Sequence, residues 1–149
     1  MKTTYKKITI RAATLKDAQK VRDLENAVWG VDVVNEYDIP VFVRFGYCFV
    51  AEVDGKIVGA MIGLLTRQSE IYVLDLVIDK VYRRLGIAEK LKRRLMKAGN
   101  GKNIVSFVHA SNKASLALNA KIGIMTKKKM KNPFGLNDGE EYFIRIKPR

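Results

Sequence analysis

The sequence predicts an α/β fold, a mixed central β-sheet of about six or seven strands flanked by helices. Three observations predict it. Tyr72-Val73-Leu74-Asp75-Leu76-Val77-Ile78 is an almost continuous apolar run, as a strand buried on both faces is. Just beyond it, Ile87, Leu91, Leu95 and Ala98 recur at helical spacing, with Lys90, Lys92, Arg93, Arg94 and Lys97 on the remaining surface. Along the whole chain the order reads strand, helix, helical segment, three strands, helix, strand, helix, two strands.

The first strand covers Lys7 to Arg11, alternating around Ile8 and Ile10. Thr14-Leu15-Lys16-Asp17 resembles a capping box with Asp in the acidic role. Leu15, Ala18, Val21, Leu24 and Val28 then carry a first helix to about Trp29, which Gly30 is suited to end. Val31 to Gly46 has no clear period and reads as a loop or short helix. Tyr47 to Val53, the Asp54-Gly55 turn and Lys56 to Leu65 form a hairpin. Cys48, between Tyr47 and Phe49, reads as a small core residue. After the central strand and helix come a strand from Asn103 to His109 and a helix from Asn112 to Ile122. Two last strands, Met125 to Lys131 and Glu141 to Ile146, flank a long loop. The lysines at 127, 128, 129 and 131 suit an exposed strand whose charges discourage edge pairing.

A chain of 149 residues, 48% hydrophobic, fits a single domain, residues 1–149, with a real core. No window approaches the roughly 20 apolar residues of a membrane span, so no membrane partner is expected. Residues 1–7 lack a signal-peptide pattern, and one cysteine permits no internal disulfide, so a cytoplasmic setting is expected. The net charge of +13 attracts polyanions: phosphorylated cofactors, nucleic acid, ribosomes and anionic lipid all qualify. A merely well-solvated basic surface is the plain alternative. Without a basic-aromatic RNA motif, nucleic acid ranks last. No metal-ligand pattern stands out, and a homodimer remains open.

The turn between central strand and helix points to an anion. A helix start leaves backbone N–H groups unpaired and carries about half a positive charge. Gly86 removes a side chain there, and Ala88 is nearly as small, so a bulky oxyanion can approach the backbone. Arg83 and Arg84 add fork-shaped donors suited to phosphate oxygens. Upstream, Asp32, Glu36 and Asp38 concentrate negative charge in a basic chain. They read either as helix-cap and turn residues or as a hold for an incoming ammonium.

Arg83-x-x-Gly86-x-Ala88 after a hydrophobic strand resembles the acetyl-CoA signature of the GNAT superfamily of N-acetyltransferases, Arg/Gln-x-x-Gly-x-Gly/Ala. Asn112-Lys113-Ala114-Ser115-Leu116-Ala117-Leu118-Asn119-Ala120-Lys121-Ile122-Gly123-Ile124 is similar to the helix and strand that complete the coenzyme A site in that family. Ile8-x-Ile10-Arg11-x-Ala13-Thr14-x-x-Asp17 looks like the usual GNAT opening. The resemblance implies a sheet splayed between strands four and five. It implies an enzyme that moves acetyl from acetyl-CoA to a primary amine, directly, in a ternary complex. It implies that Arg83, Arg84, Leu85, Gly86, Ile87 and Ala88 hold the diphosphate. Leu76, Val77 and Ile78 would meet the pantetheine through their backbone. Asn112, Ser115 and Asn119 would lie along the pantetheine or near the sulfur.

Within the superfamily, Lys131-Asn132-Pro133-Phe134 and Asp138-Gly139-Glu140-Glu141 loosely resemble the ending of ribosomal-protein alanine acetyltransferases. Trp29-Gly30 looks like a different branch. Asn119 stands where many relatives place a proton-donating Tyr, and Phe107 where the alanine acetyltransferases place a basic Glu. Tyr72, His109 and Asp75 are the substitute acid–base candidates. His109 shares a strand face with position 107. A half-buried sheet aromatic, a structural histidine and a hydrogen-bonded strand polar group are their plainer roles. The same gaps leave a non-catalytic acyl-CoA-binding or regulatory module as the alternative function. At pH 7 an α-amine is roughly 10% neutral and a lysine ε-amine roughly 0.04%. A weak base therefore favours peptide N-termini or amino-acid-like amines.

Overall fold

The computed structural model describes residues 7–31 and 34–149. Its elements are β1 (Ile8–Ala12), α1 (Ala18–Trp29), α2 (Asp38–Phe45), β2 (Tyr47–Val53), β3 (Lys56–Leu65), β4 (Ile71–Ile78), α3 (Ile87–Ala98), β5 (Ile104–His109), α4 (Lys113–Ile122), β6 (Ile124–Lys131) and β7 (Glu140–Lys147). The described strands form one seven-stranded sheet in the order β1-β2-β3-β4-β5-β7-β6. It is mixed, as expected: β4 and β5 are parallel, whereas β1/β2, β2/β3, β5/β7 and β6/β7 are antiparallel. Among the described residues the β4–β5 register consists of Ile71↔Ile104 and Tyr72↔Val105, at the very start of β4. No described helix is long and apolar enough to cross a membrane.

The chain falls into two compact units, Met1–Leu64 with Leu74–Leu95, and Leu65–Val73 with Met96–Arg149. In the first, α1 lays Val21 and Leu24 against Cys48, Val50, Ile57, Ala60, Ile62 and Val77 of the sheet, and Ile39 of α2 joins them. The expected capping box is present: the Thr14 N–H donates to Asp17 Oδ2 at 2.7 Å. Arg11 grips the same carboxylate with both terminal nitrogens, at 2.7 and 2.9 Å, and reaches Glu52 Oε1 at 3.2 Å. The strand β1, the start of α1 and β2 are thereby tied together. The Arg11 guanidinium holds the Asp17 carboxyl far below the usual carboxylate range.

The stripe of α3 is buried as its spacing predicts, with Ile87, Leu91 and Leu95 at most 2% exposed. Gly59 of β3 makes room for this helix, since a Cβ there would lie 3.1 Å from Ile87 and 3.0 Å from Ile78. The segment without a clear period contains α2. Pro40 sits in its first turn, where no intrahelical N–H bond is lost. Val41 and Phe45, one turn apart, are exposed, so α2 is apolar inside and out and its period is blurred.

In the second unit, Ile71, Ile104, Val105, Val108, Ile122, Ile144 and Ile146 are buried. Glu70 accepts from Arg145 Nε at 2.6 Å and from its Nη2 at 3.0 Å, clamping the entry of β4 to β7. Strand β6 is the edge beside β7, and its four lysines are exposed, as their spacing predicts.

Candidate active site

The turn after β4 is built from the strand end outward. The Asp79 N–H bonds the Val58 carbonyl at 2.8 Å, and Asp79 Oδ1 accepts from the Val81 N–H at 3.0 Å. A 3₁₀ turn, Lys80–Tyr82, follows. Arg83 is extended, and its Nε donates back to the Ile78 carbonyl at 3.3 Å. Arg84 and Gly86 both have positive φ, +64° and +78°, with Leu85 between them of the other hand. Such alternation turns successive N–H groups into one concavity, an anion nest. The first bond that continues α3 runs from the Lys90 N–H to the Gly86 carbonyl at 3.1 Å, so the preceding N–H groups belong to the open helix start. A Cβ built on Gly86 meets nothing within 4 Å, so the space beside the turn is open. Arg83 and Arg84 are exposed. Ile87 is buried at 2% exposure and offers only its backbone N–H. Donor set, open concavity and charge fit a diphosphate.

The other expected cofactor residues of this unit are more constrained. Val77 belongs to the core against α1. The Leu76 N–H donates to Asp75 Oδ1 at 2.9 Å, and the Ile78 carbonyl is taken by Arg83. In the second unit Asn112 caps α4, its Oδ1 accepting from the Ser115 N–H at 3.1 Å. Asn119 is wholly buried, and its Nδ2 donates to Ser115 Oγ at 3.4 Å. These three side chains shape α4 itself.

Tyr72 lies beside the Phe107 ring, 6.5 Å between centroids, and Phe107 also meets Phe134 at 4.8 Å and Phe143 at 5.2 Å. Burial first, then the Glu141 carboxylate, raises the Tyr72 phenol, so it stays protonated at neutral pH and can donate. His109 is exposed. Its Nδ1 accepts from the Ser111 N–H at 3.2 Å and lies 2.7 Å from Ser111 Oγ. That network assigns the proton of the neutral ring to Nε2. A base role for His109 therefore requires Nδ1 to leave Ser111.

Of the acidic candidates, Asp75 and Asp38 line one cavity of about 360 Å³ in the first unit, with Glu25, Trp29, Val34, Ile62 and Leu74. Glu36 is exposed and not among the lining residues. Asp32 lies outside the described residues. Asp38 also has a cap role, Oδ2 accepting from the Asn35 N–H at 3.1 Å. The sequence reading passed over Glu25. Its signal was its place at helical spacing between Val21 and Val28, on the buried face of α1. Glu25 is 1% exposed, and neither carboxylate oxygen makes a hydrogen bond of good geometry among the described residues. Burial, then Asp75, pushes its carboxyl up to about 9, against a smaller opposite pull from Trp29. Cys48 is buried, and its thiol is pushed up to about 12 by burial, then Glu25 and Asp17, which leaves it inert.

An α/β sheet whose fourth strand leads into an open, amide-lined helix start is an arrangement that can hold a phosphorylated group. The acetyltransferase (GNAT) family model matches residues 18–124. The chain belongs to that family. It is 26% identical over 145 residues to an uncharacterised N-acetyltransferase of Methanocaldococcus jannaschii, covering 94% of this chain and 91% of the relative. An N-alpha-acetyltransferase of Sulfurisphaera tokodaii is 30% identical over 115 residues, 67% of this chain and 68% of the relative. Diaminobutyrate acetyltransferase of Paenibacillus lautus, solved with L-2,4-diaminobutyric acid and coenzyme A, shares the fold at TM-score 0.76 and 23% identity, covering 95% of each chain.

Proposed function

We propose that this protein transfers the acetyl group of acetyl-CoA to a primary amine by direct transfer in a ternary complex, with residues 1–149 acting as one transferase domain. The observation that carries the reading is the nest at Arg84–Gly86, open beside the glycine and opening α3. Membership of an acetyltransferase family supports the reaction class, and the family match runs through both units. Acetyl-CoA supplies an activated thioester. The N–H groups of Leu85 to Ala88 and the guanidinium groups of Arg83 and Arg84 bind its diphosphate. Tyr72, kept protonated by burial, is the proton donor of choice for the departing sulfur. Asp75, which lines the cavity of the first unit, and His109, whose Nδ1 is engaged by Ser111, are the candidate proton acceptors. The single unbridged cysteine suits a reducing, cytoplasmic setting.

A thiol-release assay over a panel of peptides and small amines tests the reading. CoA release above the hydrolysis background with at least one amine is expected. Tight acetyl-CoA binding without release for any amine contradicts it and favours a non-catalytic acyl-CoA-binding module. The N-alpha-acetyltransferase and diaminobutyrate acetyltransferase relatives suggest peptide N-termini and diamino acids as the first acceptors to try.

A further inference from the structure

Glu25 and Asp75 come from α1 and β4 and meet at one cavity. Asp75 Oδ1 is occupied by the Leu76 N–H, and no hydrogen bond of good geometry reaches Glu25 among the described residues. The rest of the wall is Trp29, Val34, Ile62, Leu74 and Asp38. Asp38 is exposed and Glu25 is not, so the cavity runs from a charged, open side to a buried carboxyl. Its volume lies at the small end of ligand sites. Among the described residues, the other charged or titratable groups nearby are these. Cys48 of β2 is a neutral thiol, Asp17 is held by Arg11, and the Arg22 Nε is bonded to the Val34 carbonyl at 3.0 Å.

We propose that this cavity receives the ammonium end of a compact, apolar primary amine, which donates to Glu25 and Asp75. The Glu25 O–H bond breaks and the proton leaves to solvent. The ammonium N–H groups then bond both carboxylates, and net charge in the cavity is conserved. An aromatic and aliphatic wall around the anions suits a short alkyl body. The inference deepens the transferase reading by naming the acceptor class, and it rests on that reading for its role in catalysis.

The test uses n-butylamine as probe on the full chain, by calorimetry at pH 7 in PIPES and in ACES, with and without CoA. Binding should release about one proton per amine, seen as a heat that changes with the buffer. Glu25→Gln should bind the amine roughly 10- to 100-fold more weakly and lose the buffer dependence, while its acetyl-CoA affinity stays that of the parent. Glu25→Asp should restore the proton release. No butylamine binding by the parent overturns the proposal. So does binding without proton release, equal binding of n-butanol, or an unweakened Gln variant. If Glu25→Gln does not fold, the parent's buffer dependence decides alone. Acetyl-CoA binding without butylamine binding sinks the cavity and spares the transferase reading. Proton-coupled butylamine binding without acetyl-CoA binding does the reverse.

Discussion

Asp17 and Glu25 are both carboxylates buried at the N-terminal helix of the first unit, at 7% and 1% exposure, and they have opposite surroundings. Asp17 holds a two-pronged guanidinium and two donors from Thr14. Glu25 has no hydrogen bond of good geometry, only a weak pull from Trp29, and it faces another acid. The first carboxyl is pulled down and the second pushed up. A buried charge that is fully paired reads as structure; a buried acid left unpaired persists against its own cost and marks a place where something else binds.

The largest expected effect tests the paired side. Asp17→Asn leaves Arg11 with Glu52 alone and should cost about 3 kcal/mol in denaturant unfolding at pH 7. Because Asp17 is pulled below its unfolded value, its contribution is complete above that value and fades as pH falls through the folded one. The parent should therefore lose stability in acid along a slope that Asp17→Asn lacks; parallel acid titrations of the two would refute the assignment.

Glu25 should behave in the opposite sense. Its folded value of about 9 lies above the unfolded one, so its contribution is complete below the unfolded value and is lost as pH rises towards the folded value. At pH 7 Glu25→Gln should stabilise the fold by up to about 3 kcal/mol, and the gain should shrink at pH 4. A variant that loses stability at pH 7 would show Glu25 to be a paired structural group after all. Stabilisation combined with lost amine binding is the pattern of a site that trades stability for function.

Tyr72→Phe keeps the ring beside Phe107 and removes only the hydroxyl. It should lower kcat by roughly 100-fold with acetyl-CoA affinity unchanged. An unchanged kcat returns the proton donor's role to His109 or water. The smallest effect belongs to Cys48. Its thiol should resist a disulfide reagent at pH 8 in the folded protein and react on unfolding, and Cys48→Ala should cost about 1 kcal/mol without changing turnover. Fast labelling of the native protein would contradict the buried, neutral thiol.

Features carried by neighbouring residues were legible in the sequence. The turn from Arg83 to Ala88 shows its glycine, its arginines and its flanking periods within a single short stretch. The hairpin of β2 and β3 and the bounds of α3 emerge as expected for the same reason. The acceptor cavity is different, because Glu25 and Asp75 stand 50 residues apart and meet only after α1 packs on β4. The short helix α2 was hidden by apolar residues on its solvent side. Asn112 and Asn119 matched a family pattern by position, and in the structure Asn112 Oδ1 caps α4 while Asn119 Nδ2 bonds Ser115. Position in a motif does not reveal whether a polar atom is already satisfied.

The claim on which the rest depends is that the turn at residues 83–88 grips a diphosphate. Comparing acetyl-CoA with S-acetylpantetheine, which keeps the thioester arm and lacks the diphosphate and nucleotide, measures this grip. The parent should bind acetyl-CoA at least about 100-fold more tightly, as two or three charge-assisted bonds imply. Gly86→Glu, which sets an acid into the open concavity at φ +78°, should abolish that preference. Equal affinities in the parent, or a preference that survives Gly86→Glu, would contradict the account.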